Sequence, residues 1–187
     1  MAKRDIYARL DALEPAAWDG LAFRHSSLRY DTARVLNGDG ARQAGGRWNP
    51  EESFRTVYLS EEPETVFEEF LRSIGPGRDP RALAKTRVLW QARVRADNLV
   101  DLRTVANRRL VGLPARFDYE VPRELCQEIG EAAYYVRYKG ILAPSAAREG
   151  AINIIVFPDY LEDRDVFEVV TEEHRRFLSE FFPPQTE

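Results

Sequence analysis

The sequence predicts a single α+β domain spanning residues 1–187. Three observations lead there. Apolar residues repeat at helical spacing in some windows and alternate as in strands in others, without the strict strand–helix alternation of a parallel α/β fold. A chain of 187 residues with 44% hydrophobic content can build one sizeable core. The most Pro/Gly-rich stretch, residues 75–80, reads as a surface loop, because neither flank would hold a full core alone.

The elements follow in order. A short helix is expected over 5–13, ending before Pro15. Residues 21–25 read as a strand. Residues 26–52 lack periodicity, and a loop of that length in a compact domain points to function. Residues 56–60 are β-branched and aromatic, hence a strand. Pro63 suits the first turn of a helix through Ile74, with an apolar stripe of Val66, Phe67, Phe70, Leu71 and Ile74. Strands are expected over 86–94 and, after a break, 98–102. The strongest helix runs over 122–138, with Leu125, Ile129, Ala132, Ala133 and Val136 at helical spacing and Gly140 closing it. Strands over 141–143, 152–157 and 165–170 precede a final helix over 171–182, with Thr171 as its N-cap.

Composition excludes several function classes. The net charge of −4 calls for no nucleic-acid backbone as partner. The single cysteine, Cys126, rules out an internal disulfide and fits a reducing cytoplasm; its neighbours Leu125 and Ile129 place it in a helix interior rather than at a nucleophilic site. No signal peptide follows the basic N-terminal residues, and no apolar run is long enough to span a membrane. The two histidines, His25 and His174, have no metal-ligand spacing, so no metal is expected. The aromatic content of 11% fills a core or lines a pocket for flat ligands.

Three segments have residue types suited to chemistry. In the string from Gly40 to Pro50, Gly45 and Gly46 permit positive φ or close approach of a ligand. There Arg47 offers a planar fork of donors suited to phosphate, and Trp48 and Asn49 add a stacking surface and an amide. The alternative is a turn with Trp48 plugging the core. The glycine spacing fits neither a P-loop nor a dinucleotide fingerprint. The second segment is Tyr58-Leu59-Ser60, followed by Glu64, Glu68 and Glu69 on the next helix. A carboxylate beside a ribose stabilises positive charge at the anomeric carbon, and the helical wheel does not choose between Glu68 and Glu69. In the third, Ser145 follows a buried strand, where it serves a ligand or simply a turn hydrogen bond. A Ser–His triad would need a suitably placed histidine. Arg24 and His25 end the first strand, and alternation sends them to opposite faces.

Taken together, these segments resemble the RES family, named for an arginine, a glutamate and a serine. The resemblance runs from about Phe23 to Phe157, through Gly-Ala-Arg…Gly-Gly-Arg-Trp-Asn-Pro, Tyr-Leu-Ser with its Glu-bearing helix, Leu-Ala-Pro-Ser-Ala and Asn153. It implies a fold similar to ADP-ribosyltransferases of the diphtheria-toxin kind, with central β-sheets flanked by helices. It also implies a cytoplasmic bacterial toxin that degrades NAD+ by cleaving the nicotinamide–ribose bond, by phosphorolysis or hydrolysis. NAD+ is then substrate rather than cofactor, and inorganic phosphate is a co-substrate. The implied partner is an Xre-type helix-turn-helix antitoxin, in a homodimer and a higher toxin–antitoxin assembly. Carried over by position, the catalytic set is Arg24, Arg47, Tyr58, Glu69 and Ser145. The family's tyrosine-to-glutamate spacing selects Glu69. His25, Gly46, Trp48 and Asn49 are the expected NAD- or phosphate-binding residues; relatives can carry a tyrosine where this chain has His25. In that reading Arg24 and Arg47 hold the diphosphate or an incoming phosphate, and Tyr58 or Trp48 stacks on nicotinamide. Two other functions compete: a mono-ADP-ribosyltransferase acting on a protein, and a non-catalytic nucleotide- or partner-binding module.

Overall fold

The computed structural model describes residues 3–170 and 176–183. Helix α1 (Lys3–Asp11) buries Ile6 and Leu10 and leads into strand β1 (Ala16–Ser27). β1 is longer than the five residues its sequence marks, because pairing with β3 extends it in both directions. The segment expected to be irregular contains two short helices, α2 (Thr32–Val35) and α3 (Asp39–Ala44). Asp31 caps α2 by accepting the Arg34 N–H, a local bond that needs no periodicity and so left none to read. Strand β2 (Val57–Ser60) and helix α4 (Pro63–Ser73) follow, the helix with its proline in the first turn and Val66 and Phe70 buried.

After the short helix α5 (Pro80–Ala84) comes β3 (Arg87–Asp101), one continuous strand where the sequence predicts two. The expected break, 95–97, is bridged by pairing of Arg95 and Ala96 with β1, and Asn98 just beyond it takes φ +52, a left-handed conformation that asparagine tolerates. Helix α6 (Val105–Leu110) and helix α7 (Arg123–Tyr135) lead to β4 (Gly140–Pro144) and β5 (Ile152–Val156). Gly140 does not close α7. The helix ends at Val136, with Arg137 at φ +65, and Gly140 opens β4. A Cβ at Gly140 would lie 2.0 Å from the Ile155 carbonyl oxygen, so the glycine permits close strand approach.

Strand β6 (Val166–Val169) falls within the expected 165–170. The final helix is not formed over its described part. Arg176–Phe177 is a two-residue strand, β7, paired with β3, and Leu178–Phe181 is a 3-10 turn. Thr171 and His174 lie outside the described residues. Leu178, fully buried, with Phe181 and Phe182 packed on Phe67, instead closes a small core.

The sheet runs β1-β2-β5-β4-β3-β6, and β1 also pairs with β3 from Ala16↔Leu99 to Ser27↔Arg87. Pairing therefore closes a circuit through β1, β2, β5, β4 and β3. Its inner residues, including Ala22, Leu59, Val94, Leu142 and Ile154, form one core. A second core lies between the outer face of this circuit and α7, where Ile129 and Ala133 meet Ile141 and Ile155. No described helix is long and apolar enough to cross a membrane.

Candidate active site

Glu69 is the meeting point of four separate elements. It projects from α4 toward the start of β5, where Asn153 Nδ2 donates to its Oε1 at 2.6 Å. The Ser145 hydroxyl, in the β4–β5 connection, donates to the same oxygen at 2.8 Å. From β2, the Ser60 hydroxyl donates to Asn153 Oδ1 at 2.8 Å, which fixes the amide with its NH2 toward the carboxylate. Among the described residues nothing hydrogen-bonds Glu69 Oε2. One oxygen is held and the other is presented.

Ser145 is buried and its hydroxyl is fully engaged. It also accepts the Ala147 N–H at 3.1 Å and the Arg148 N–H at 3.4 Å, so it both shapes the turn and clamps Glu69. Arg148 pins the turn to the start of α4 through Glu62 and Thr65. These bonds replace the nucleophile geometry of a serine hydrolase, in which the hydroxyl would face a histidine.

Arg47 reaches the same neighbourhood through residues the sequence did not single out. Its guanidinium lies 5.6 Å from the Phe117 ring and 5.3 Å from the Tyr119 ring, and Arg72 lies 5.0 Å from Tyr119. Burial pushes the Tyr119 hydroxyl up, Glu69 adds to that, and Arg47 and Arg72 oppose it. Tyr119 thus feels both the carboxylate and the two guanidinium groups. Arg72 follows Glu69 by three residues, on the same face of α4. Nothing in the local pattern of residues 111–122 marks Tyr119; only the i,i+3 spacing of Glu69 and Arg72 was available as a signal.

The rest of the Gly40–Pro50 string faces inward. Trp48 is 2% exposed and stacked on Phe117, the core-plug arrangement rather than a ligand platform. Asn49 is fully buried; its amide donates to the Ala41 and Pro50 carbonyls and its Oδ1 accepts from Tyr58. The Tyr58 hydroxyl accepts the Trp48 N–H at 2.9 Å and donates to Asn49 at 2.8 Å, and burial raises its pKa strongly. Gly46 is required because a Cβ would sit 2.2 Å from that hydroxyl, so the close approach is by Tyr58 and not by a ligand. The stacking and amide contacts expected of Tyr58, Trp48 and Asn49 are thus taken up inside the loop.

Arg24 and His25 do part company across β1. Phe23 pairs opposite Ser60, so the Phe23–His25 face is the Glu69 face, and His25 packs edge-on against Phe70 at 5.5 Å. Burial, with Arg87 and Arg24 nearby, pulls the His25 pKa down to about 3 and keeps the ring neutral. Arg24 projects from the opposite face, and burial lowers its pKa to about 10 while Tyr30 opposes that. No hydrogen bond or ion pair between described residues joins it to Glu69. Cys126 is buried in α7, with its thiol pushed up by burial against the opposing effect of Arg47, as an unreactive core thiol should be.

Beside Ser145 opens a cavity of about 870 Å³, within the range of small-molecule sites. Its lining includes Ser145, which bonds Glu69, together with Phe117 and the arginines at 72, 103, 108 and 116, while Glu69 itself stands behind Ser145 and is not among the lining residues.

Comparisons with known proteins identify the family and the fold. A model of the RES domain matches residues 21–178. NAD(+) phosphorylase MbcT of Mycobacterium tuberculosis (strain ATCC 25618 / H37Rv) is 30% identical over 153 residues, 81% of this chain and 79% of that protein. The protein of the same name from Mycobacterium bovis matches to the same extent. A chain in the crystal structure of the M. tuberculosis MbcT–MbcA toxin–antitoxin complex aligns with a TM-score of 0.76 at 24% identity, covering 89% of this chain and 91% of that one. That likeness speaks to the mixed α/β fold, and the sequence matches speak to ancestry. The chain belongs to the RES domain family.

Proposed function

We propose that this protein is an NAD+ phosphorylase that acts as the toxin of a toxin–antitoxin pair. The observation that carries the reading is the half-anchored carboxylate: Glu69 is gripped on Oε1 by Ser145 and Asn153, no described residue bonds Oε2, and Ser145 lines a cavity rich in arginine. The nicotinamide ring of NAD+ is a cation joined to ribose C1″. When the C1″–N bond breaks, its electron pair returns to the ring nitrogen and nicotinamide leaves neutral. No general acid is required, which suits a site whose described histidine, His25, is buried and neutral. Positive charge develops on the ribose instead, and in this reading the fixed carboxylate of Glu69 stabilises it through Oε2. An oxygen of inorganic phosphate then bonds to C1″ to give ADP-ribose 1″-phosphate.

In this reading Glu69 is the catalytic residue, Ser145 and Asn153 are positioning residues, and Arg47 with Tyr119 forms the rim against which a flat ring can lie. Tyr58, Trp48, Asn49 and Gly46 support Arg47 from behind. Arg24 acts at a distance, through the charge it sets beside His25. The names of the similar proteins support both halves of the proposal, an NAD(+) phosphorylase by sequence and a toxin–antitoxin complex by fold. The partner expected is an Xre-type helix-turn-helix antitoxin that occludes the cavity.

The test is NAD+ consumption with and without phosphate, with products resolved. The expected result is phosphate-dependent loss of NAD+ with stoichiometric nicotinamide and ADP-ribose 1″-phosphate. ADP-ribose alone would mean water is the acceptor, label retained on protein would mean a transferase, and binding without turnover would mean a non-catalytic module.

A further inference from the structure

The far part of the cavity is more basic than a chain of net charge −4 requires. Four arginines line the cavity against two carboxylate residues, Asp118 and Glu149. Arg108 is the most unusual of them. It is 6% exposed, and its Nη atoms donate to the Leu102, Arg103 and Ala115 carbonyls at 2.9, 2.6 and 2.7 Å. Among the described residues no carboxylate pairs with it, and its Nε is buried without a partner. A buried guanidinium without a counter-ion is costly unless an anion completes it. Arg103 gives Nε and Nη2 to the two oxygens of Asp101, at 2.9 Å each, which fixes the plane of its guanidinium and leaves Nη1, without a described partner, for a ligand. Arg116 stands at the mouth, with its side chain 90% exposed and Asp118 at 3.0 Å. Arg72 closes the other end, three residues after Glu69.

We propose that the hollow lined by Arg103, Arg108 and Arg116 is a phosphate-group subsite, which takes the diphosphate of the dinucleotide whose ribose faces Glu69. The inference rests on the NAD+ reading above and moves the phosphate grip away from Arg24, which lies on the other face of β1. One buried charge, one oriented fork and one exposed charge suit an extended polyanion: the first two fix its position, and the third draws it in from solvent.

The test measures ADP-ribose and adenosine affinity by calorimetry, together with the KM values for NAD+ and phosphate. The variants are Arg103→Gln/Arg116→Gln, Arg116→Glu alone, and Arg81→Gln as a remote surface control. The double variant is expected to bind ADP-ribose at least about tenfold more weakly, with adenosine affinity and the control unchanged, because charge-assisted hydrogen bonds are the strong ones. The difference should narrow at high salt. Should the double variant misfold, Arg116→Glu, at an exposed position, should still lower ADP-ribose affinity. If ADP-ribose affinity holds while the KM for phosphate rises by a similar factor, the hollow takes inorganic phosphate instead. Folded variants with both quantities unchanged would overturn the subsite. A parent protein that binds ADP-ribose through these arginines yet consumes no NAD+ would sink the phosphorylase reading and leave the subsite standing.

Discussion

The Gly40–Pro50 string and the Glu69 cluster are opposite kinds of region. The first is dense in distinctive residues and continuous in sequence, yet most of it faces itself: Tyr58 bonds Trp48 and Asn49, Asn49 bonds Ala41, and Gln127 holds the Gly46 and Asn49 carbonyls. The second draws single residues from α4, β2, β5 and a turn: Ser145 and Asn153 meet on one oxygen of Glu69, and Ser60 orients Asn153. Motif density here marks how tightly a loop must fold to hold one arginine at a rim. Chemistry sits where distant elements meet.

That contrast is sharpest in the variants that should separate rate from stability. Glu69→Gln should show the largest effect: about 3–4 kcal/mol of transition-state stabilisation, or about 100- to 1,000-fold in turnover, with an unchanged melting temperature. A Glu69→Gln protein that kept the parent rate would remove Glu69 from the chemistry and break the comparison.

Gly130→Ala tests the loop side. Its Cβ would lie 1.8 Å from the Trp48 carbonyl oxygen, so α7 and the loop must separate. We expect a loss of about 1–3 kcal/mol in stability, read by denaturant unfolding, with NAD+ turnover falling in step with the folded fraction.

Asn153→Ala removes one of the two donors to Glu69 Oε1. As a positioning residue it should lower kcat about tenfold, with KM for NAD+ changed far less. An equal rise in KM would make it part of the binding surface instead.

The smallest effect belongs to His25. In the folded protein it protonates only near pH 3, whereas the unfolded chain takes the proton near 6.5. The unfolded state therefore binds more protons between those values, and stability falls as pH drops through that window. Replacing His25 with glutamine should flatten the decline in melting temperature between pH 6.5 and 4 while leaving the value at pH 8 nearly unchanged.

Local periodicity was enough to determine α4, α7 and the cores of β1, β2, β4 and β5, because each shows its buried face in its own spacing. Resemblance across ordered motifs was enough to identify the family. Tertiary structure decided what depends on partners far away in the chain. Residues 95–97 break the strand pattern but not the strand, since β1 pairs with Arg95, Ala96 and Leu99 of β3. The C-terminal segment reads as a capped helix, yet its described part, Arg176–Phe181, forms a strand and a 3-10 turn against α4 and β3. The helical wheel left Glu68 and Glu69 equivalent and only the family spacing preferred Glu69; the physical distinction is the arrival of Asn153 and Ser145 on one side of α4. Tyr119 and the arginines at 103, 108 and 116 gave no local signal at all. A side chain's own periodicity records whether it is buried; what it faces is set by the elements packed against it, and those are remote in sequence.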